Sequence, residues 1–130
     1  WGAWTMDFRP DFTIMESGLD FFVDWDKDFI GKKAALIEKM KGPTKKLSVI
    51  QIETETDVSG DEAVMHNGEC VSYITSGGYG HSVQRSLAMT YLPVELIDSK
   101  TTLEVEILGE FHKASIVMEP LYDPSGSKMR

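Results

Sequence analysis

Cysteine is nearly absent from this sequence: Cys70 stands alone, which excludes an intrachain disulfide and any cysteine-based metal cluster. No apolar run approaches the ~20 residues that cross a bilayer as a helix, and the N-terminus shows no basic stretch followed by an apolar one, so it does not read as a signal peptide. Basic residues are outnumbered, 13 against 21 acidic, for a net charge of −8. That balance argues against a nucleic-acid backbone or an anionic membrane as the main partner. The short group Lys39, Lys41, Lys45 and Lys46 reads as a solvated helix end. Histidine is scarce as well. His66, His81 and His112 are never three or four residues apart, and none falls at a ligand spacing with Cys70, so no metal site is expected.

What is present is ordinary for one folded domain. The 130 residues suffice for a single modest core, and 42% hydrophobic residues make whole-chain disorder improbable on compositional grounds. The first 28 residues are rich in aromatics and aspartate. Trp1, Trp4, Phe8, Phe12, Phe21, Phe22 and Trp25 are more large rings than a short loop hides, so they require another surface. The run Leu19–Val23 is strand-like. The chain is expected to begin in mid-protein, with this segment belonging to a neighbouring domain. A homodimer is another way to cover it.

Asp28 to Gly42 predicts a helix. Ile30, Ala34, Ile37 and Met40 fall on one stripe, Asp28 is placed to cap the start, and Gly42-Pro43 stops it. From Lys46 the period changes to two. Leu47–Glu53, Ala63–His66, Glu69–Ser76, Ser86–Leu92, Leu103–Ile107 and Phe111–Met118 read as six short strands. Asn67-Gly68 is a strong hairpin turn, and Gly109-Glu110 reads as a second. Leu87, Met89 and Tyr91 share one strand face; Ala114, Ile116 and Met118 share another. The fold class is therefore mainly β: a small antiparallel six-stranded barrel of Greek-key or jellyroll type, with one N-terminal helix and an aromatic-rich N-terminal extension.

Catalysis is not visible in the residue chemistry. Thr75-Ser76-Gly77-Gly78-Tyr79-Gly80-His81-Ser82 has the glycines of a phosphate loop but neither its lysine nor a following helix. It reads as a structural loop between strands. Ser76, Ser82 and Ser86 lie near His81 without a nucleophile elbow. Asp24/Asp26 and Glu104/Glu106 fit a strand end and a solvated strand face better than acid–base work.

Several segments in register carry a resemblance that their chemistry does not. Asp28–Leu36 resembles a "FIGK-x-AL" helix start, Trp1-Gly2 with Met15–Leu19 a "Y/W-G … P-x-E-A-G-L" stretch, and Ile74–Tyr79 the string "VTSGGYS". Ser86–Pro93 resembles "S-I-A-L-A-Y-V-P" and Leu103–Gly109 resembles "LEVEIRGK". These are motifs of the glycine-cleavage T-protein (aminomethyltransferase) family. Tyr79–Val83 and the ending Glu119-Pro120-Leu121-Tyr122-Asp123-Pro124 … Lys128-Met129-Arg130 are most similar to its dimethylglycine and sarcosine dehydrogenase branch.

The resemblance implies the C-terminal barrel of a tetrahydrofolate-dependent one-carbon transfer module. Its catalytic aspartate and folate-gripping glutamate and arginine are expected upstream, with any flavin fingerprint further upstream still. Residues 1–28 would be a remnant of the preceding folate-binding domain, 29–43 a linking helix, 44–123 the barrel and 124–130 a flexible tail. By the same analogy Glu16, Phe21 and Tyr122 are the candidate folate-side contacts; no catalytic or metal-binding residue is expected here. The expected partners are folate and the upstream domains, in a bacterial cytoplasm or a mitochondrial matrix. A folate-dependent demethylase of a sulfonium compound such as dimethylsulfoniopropionate is an alternative within the same fold, and a non-catalytic interaction module is a second.

Overall fold

The structure, a computed structural model, describes residues 2–129. Trp1 of the aromatic set and Arg130 of the terminal motif lie outside them. One helix, α1 (Lys32–Lys41), precedes six strands: β1 (Lys45–Ile52), β2 (Ala63–His66), β3 (Glu69–Gly80), β4 (Arg85–Pro93), β5 (Thr102–Ile107) and β6 (Glu110–Val117). All neighbours pair antiparallel in the order β1-β4-β3-β2-β5-β6, and β6 returns to β1 to close the barrel. The expected six-stranded barrel is the observed one.

Alternation puts every second side chain inside. β5 is the cleanest case: Leu103, Val105 and Ile107 are buried, while Thr102, Glu104 and Glu106 face water. Ile50, Ile52, Val64, Ile74, Leu92 and Ile116 join them in one core, and Val58 closes it from the β1–β2 connection. In β4 the interior face is Ser86, Ala88, Thr90 and Leu92. The alternating trio Leu87, Met89 and Tyr91 is thus the outer face of that strand. Thr90 is tolerated inside because its hydroxyl pairs with the Ser72 hydroxyl and the Tyr73 carbonyl, each at 2.8 Å.

The hairpin at Asn67-Gly68 forms as expected, both residues having positive φ (51° and 82°) as a two-residue primed turn requires. The second turn lies one residue earlier than expected. Leu108 and Gly109 are its centre, with φ of 53° and 86°, and Glu110 already pairs with Ile107. Strand β6 ends at Val117, which leaves Met118 exposed rather than on the buried face of Ala114 and Ile116.

Four other expectations are corrected. Leu19–Val23 is not a strand; Asp20–Phe22 forms a 3-10 turn, since a closed barrel offers no free edge for another strand to join. The helix starts at Lys32 behind Gly31, whose φ of +88° breaks the helical run, and Asp28 does not cap it. Its apolar stripe faces away from the barrel: Ile37 and Met40 are 59% and 88% exposed. Lys45 and Lys46 open β1 rather than extending a helix end. The glycine-rich stretch is not a loop up to Gly80. β3 runs through it, with a register break between Ile74 and Ser76 that leaves Thr75 as the bulged residue.

Within that stretch the two adjacent glycines differ. A Cβ on Gly77 would lie 2.7 Å from Val58 Cγ1, whereas one on Gly78 meets nothing within 4 Å. Gly77→Ala is expected to destabilise the chain by about 1–3 kcal/mol through overpacking, while Gly78→Ala stays within about 0.5 kcal/mol of the parent. Urea unfolding of the two variants checks this; equal midpoints would show that the Val58 contact does not constrain the strand.

Candidate functional site

Two places outside the core concentrate chemistry. The first is a polar node between the N-terminal segment and the bulge of β3. Asp7 is fully buried, and its carboxylate accepts from the Ala3 backbone N–H at 2.5 Å, from the Thr75 hydroxyl, and from the Ser76 hydroxyl at 2.9 Å. The Tyr91 phenol donates to the Asp7 carbonyl at 2.7 Å and lies 2.9 Å from the Ser17 hydroxyl. Burial, the largest cause, holds the Tyr91 phenol above its ordinary value, so it is neutral and able to donate throughout the physiological range. The Phe12 ring stacks on Tyr91 at 3.5 Å, and the Lys45 ammonium sits 4.6 Å from the centre of the same Phe12 ring.

The second place is an open groove of about 540 Å³ on the outer wall of the barrel. Val49 of β1, Leu87 of β4 and Val117 of β6 make an apolar floor. The tight turn after β3 forms one rim: Gln84 N–H closes on the Gly80 carbonyl at 2.7 Å, and His81 meets Tyr79 edge-on at 5.1 Å. The other rim is the chain after β6, which brings in Pro120 and Tyr122. Mostly apolar walls with an imidazole and a phenol on the rim suit a planar, partly aromatic molecule held by shape and a few polar contacts. They do not assemble a nucleophile with a base.

Of the three residues proposed from sequence, Tyr122 lines this groove and Glu16 and Phe21 do not. Tyr122 is half exposed, with the Lys128 ammonium 4.4 Å from its ring centre. Glu16 is buried, its carboxylate accepting from Thr13 N–H at 3.0 Å while the Thr13 hydroxyl accepts from Glu16 N–H at 3.2 Å. This reciprocal box fixes the local turn, and the Glu16 carbonyl accepts from Leu47 N–H at 2.8 Å at the start of β1. Phe21 is exposed, its ring 4.0 Å from that of Phe22. His66 Nδ1 lies 2.9 Å from the Thr102 carbonyl oxygen and His81 lines the groove, whereas His112 lies within β6 rather than in a turn, partly buried opposite Val105. Among the described residues no group of three His, Cys, Asp or Glu side chains is placed to hold a metal, and no helix is long and apolar enough to cross a membrane.

Asp7 escaped the sequence reading because it sits in an aperiodic segment. Its partners Thr75 and Ser76 are 68 and 69 residues away, and nothing local announces the pairing.

Comparison with known proteins is consistent across sequence and fold. Residues 45–123, more than half of the chain, match the family described as the glycine cleavage T-protein C-terminal barrel domain. The chain is 40% identical over 122 residues to the mitochondrial dimethylglycine dehydrogenase of Homo sapiens, covering 92% of this chain and 14% of that protein. It is 36% identical over 118 residues to the aminomethyltransferase of Prochlorococcus marinus, covering 89% of this chain and 32% of the relative. Among solved structures, the glycine cleavage system aminomethyltransferase T of Bartonella henselae superposes with a TM-score of 0.83 at 27% identity, over 92% of this chain and 34% of that one. The chain therefore spans about a seventh to a third of the proteins it resembles.

The groove rim carrying Tyr122 is held by Asp123. Its carboxylate accepts from the backbone N–H groups of Lys128 at 2.8 Å and Ser127 at 2.9 Å, and from the Ser127 hydroxyl at 2.9 Å. The Lys128 N–H contributes most to holding this carboxyl below its ordinary range. A lowered folded-state value means the turn is fully formed above the ordinary carboxylate range and is lost as pH falls through the lowered one. The Ser127 and Lys128 amide resonances are expected to move together on acidification below that range. Asp123→Asn should produce the same displacement at neutral pH. Amides that ignore both changes would show that the turn does not depend on this carboxylate.

Proposed function

This chain belongs to the glycine cleavage T-protein C-terminal barrel family, and from that premise we propose that it is the barrel of a tetrahydrofolate-dependent aminomethyltransferase module in a dimethylglycine or sarcosine dehydrogenase-like protein. The observation that carries the reading is the apolar groove bounded by the turn after β3 and the Tyr122 segment. Both rims are built from the motifs that resemble the dehydrogenase branch.

In this reading the barrel forms one wall of the folate cavity. Its apolar floor excludes water and its rim orients the ligand, which is how positioning lowers a barrier without a reacting group. Tyr122 contacts the folate directly. Glu16 supports the site from behind, since its carboxylate is committed to Thr13. Phe21, whose ring is exposed, meets the ligand or the domain that precedes it. The acid–base residues, and the flavin of a dehydrogenase, belong to the upstream part, so this chain alone has no turnover. The outward-facing Ile37 and Met40 of α1 suit contact with that upstream part. The names of the relatives, one mitochondrial and others bacterial, fit a matrix or bacterial cytoplasmic setting.

The test is a chimera in which this chain replaces the matching region of the Bartonella henselae aminomethyltransferase. Calorimetry with tetrahydrofolate should show binding by the chimera and none by the truncated upstream part. Tyr122→Ala in the chimera should weaken binding ~10-fold, about 1.4 kcal/mol, without moving the melting temperature. Undiminished binding by the upstream part alone, or by the Tyr122→Ala chimera, would sink the assignment.

A further inference from the structure

We propose that the N-terminal segment up to Leu19 is a strap that opens from the barrel as a unit, with the buried Asp7 carboxylate as its latch. The proposal stands apart from the folate assignment. The strap holds itself together locally: Asp7 N–H donates to the Ala3 carbonyl at 2.9 Å, Ser17 N–H to Thr13 at 3.0 Å, and Leu19 N–H to Ile14 at 3.0 Å. None of its described residues belongs to the apolar core, which is made from the barrel strands and Val58, with Val71 and Ile97 packed against it. Even Met15, buried in the strap, lies outside that cluster. Attachment to the barrel is instead mostly polar: Asp7 to Thr75 and Ser76, Tyr91 to the Asp7 carbonyl and Ser17, and Leu47 N–H to Glu16. The Phe12–Tyr91 stack and the burial of Met15 add apolar contact, and the Thr13 hydroxyl donates to Glu38 of α1 at 2.5 Å.

Asp7 gives this joint its switch-like character. Among the described residues its carboxylate accepts from a backbone N–H and two hydroxyls, all neutral, while the nearby Arg9 is paired with Asp11. A buried charge without a counter-ion is tolerated while every hydrogen bond is made and becomes costly when one is lost. Partial loosening is therefore unfavourable, whereas complete release returns the carboxylate to water and recovers its hydration. Opening the strap regains hydration at the latch; melting the barrel would expose the whole apolar core. The two events differ in free energy, and the strap is the cheaper to open.

Native-state hydrogen exchange read by mass spectrometry on the full chain tests this. In the unaltered protein at low denaturant, the amides of Asp7, Ser17 and Leu19 should exchange at least ~100-fold faster than those of β5, as expected for a sub-global opening. Asp7→Ala should raise strap exchange a further ~10-fold and leave β5 protection intact. Tyr91→Phe, which keeps the stacked ring and removes the phenol, should raise it several-fold. Strap and β5 amides exchanging at one common rate in the unaltered protein would overturn the proposal. So would an Asp7→Ala chain in which β5 loses protection with the strap, or one in which strap exchange does not change.

Discussion

Pairing of β6 with β1, from Val49 opposite Val117 to Ile52 opposite Ala114, is the contact on which the rest of the molecule depends. It turns a six-stranded sheet into a barrel, so that every strand pairs with a neighbour on each side over part of its length. The interior is then filled by one residue in two, and the space is small enough for branched aliphatic side chains to occupy it. Closure also decides what happens to everything else. A segment that cannot add a strand has to lie on the outside and be held by side chains. The N-terminal segment, the helix and the chain after β6 all follow that rule.

Strand content was legible because barrel strands obey a local rule, period two, that a reader can count. Leu103, Val105 and Ile107 between polar neighbours gave β5 directly, and Asn67-Gly68 gave its hairpin. What the pattern leaves open is decided by distant contacts. Leu87, Met89 and Tyr91 share the outer face of β4, where Tyr91 is buried against Asp7 and Ser17, while Ser86, Ala88, Thr90 and Leu92 line the interior. Small residues fit inside β4, and the Thr90 hydroxyl finds partners across the strand pair. Periodicity identifies two faces and cannot say which is inner.

The glycine stretch failed for a related reason. Three glycines in four positions suggest a loop when only backbone freedom is considered. In the fold, Gly77 is small because Val58 crosses over it, a steric demand made by a residue 19 positions away. The site was legible to a lesser degree than the fold. Tyr122 came through resemblance, and the structure puts it beside a groove. Asp7 came through neither pattern nor resemblance, since a single acidic residue among aromatics carries no local signal of burial.

The two features outside the core share one strand. The bulge of β3 presents Thr75 and Ser76 to the Asp7 carboxylate, and the same strand ends at Gly80, where the groove rim begins. Gly80 lies four steps along the strand from Ser76, about 13 Å of extended chain. The bulge is what makes this arrangement compatible with a barrel. Without the extra residue, Thr75 would hold a regular place in the alternation; with it, the strand turns two successive hydroxyls toward one carboxylate. Beyond the bulge, alternation resumes against β4 from Ser76 opposite Met89 to Gly80 opposite Arg85. A strand that serves the core, the latch and the groove in succession must change its residue type along its length. Ile74, then Thr75 and Ser76, then Gly77 and Gly80 follow that sequence of demands: apolar where it fills the barrel, hydroxylated where it grips the strap, and glycine where Val58 and the Val83 side chain of the tight turn crowd it.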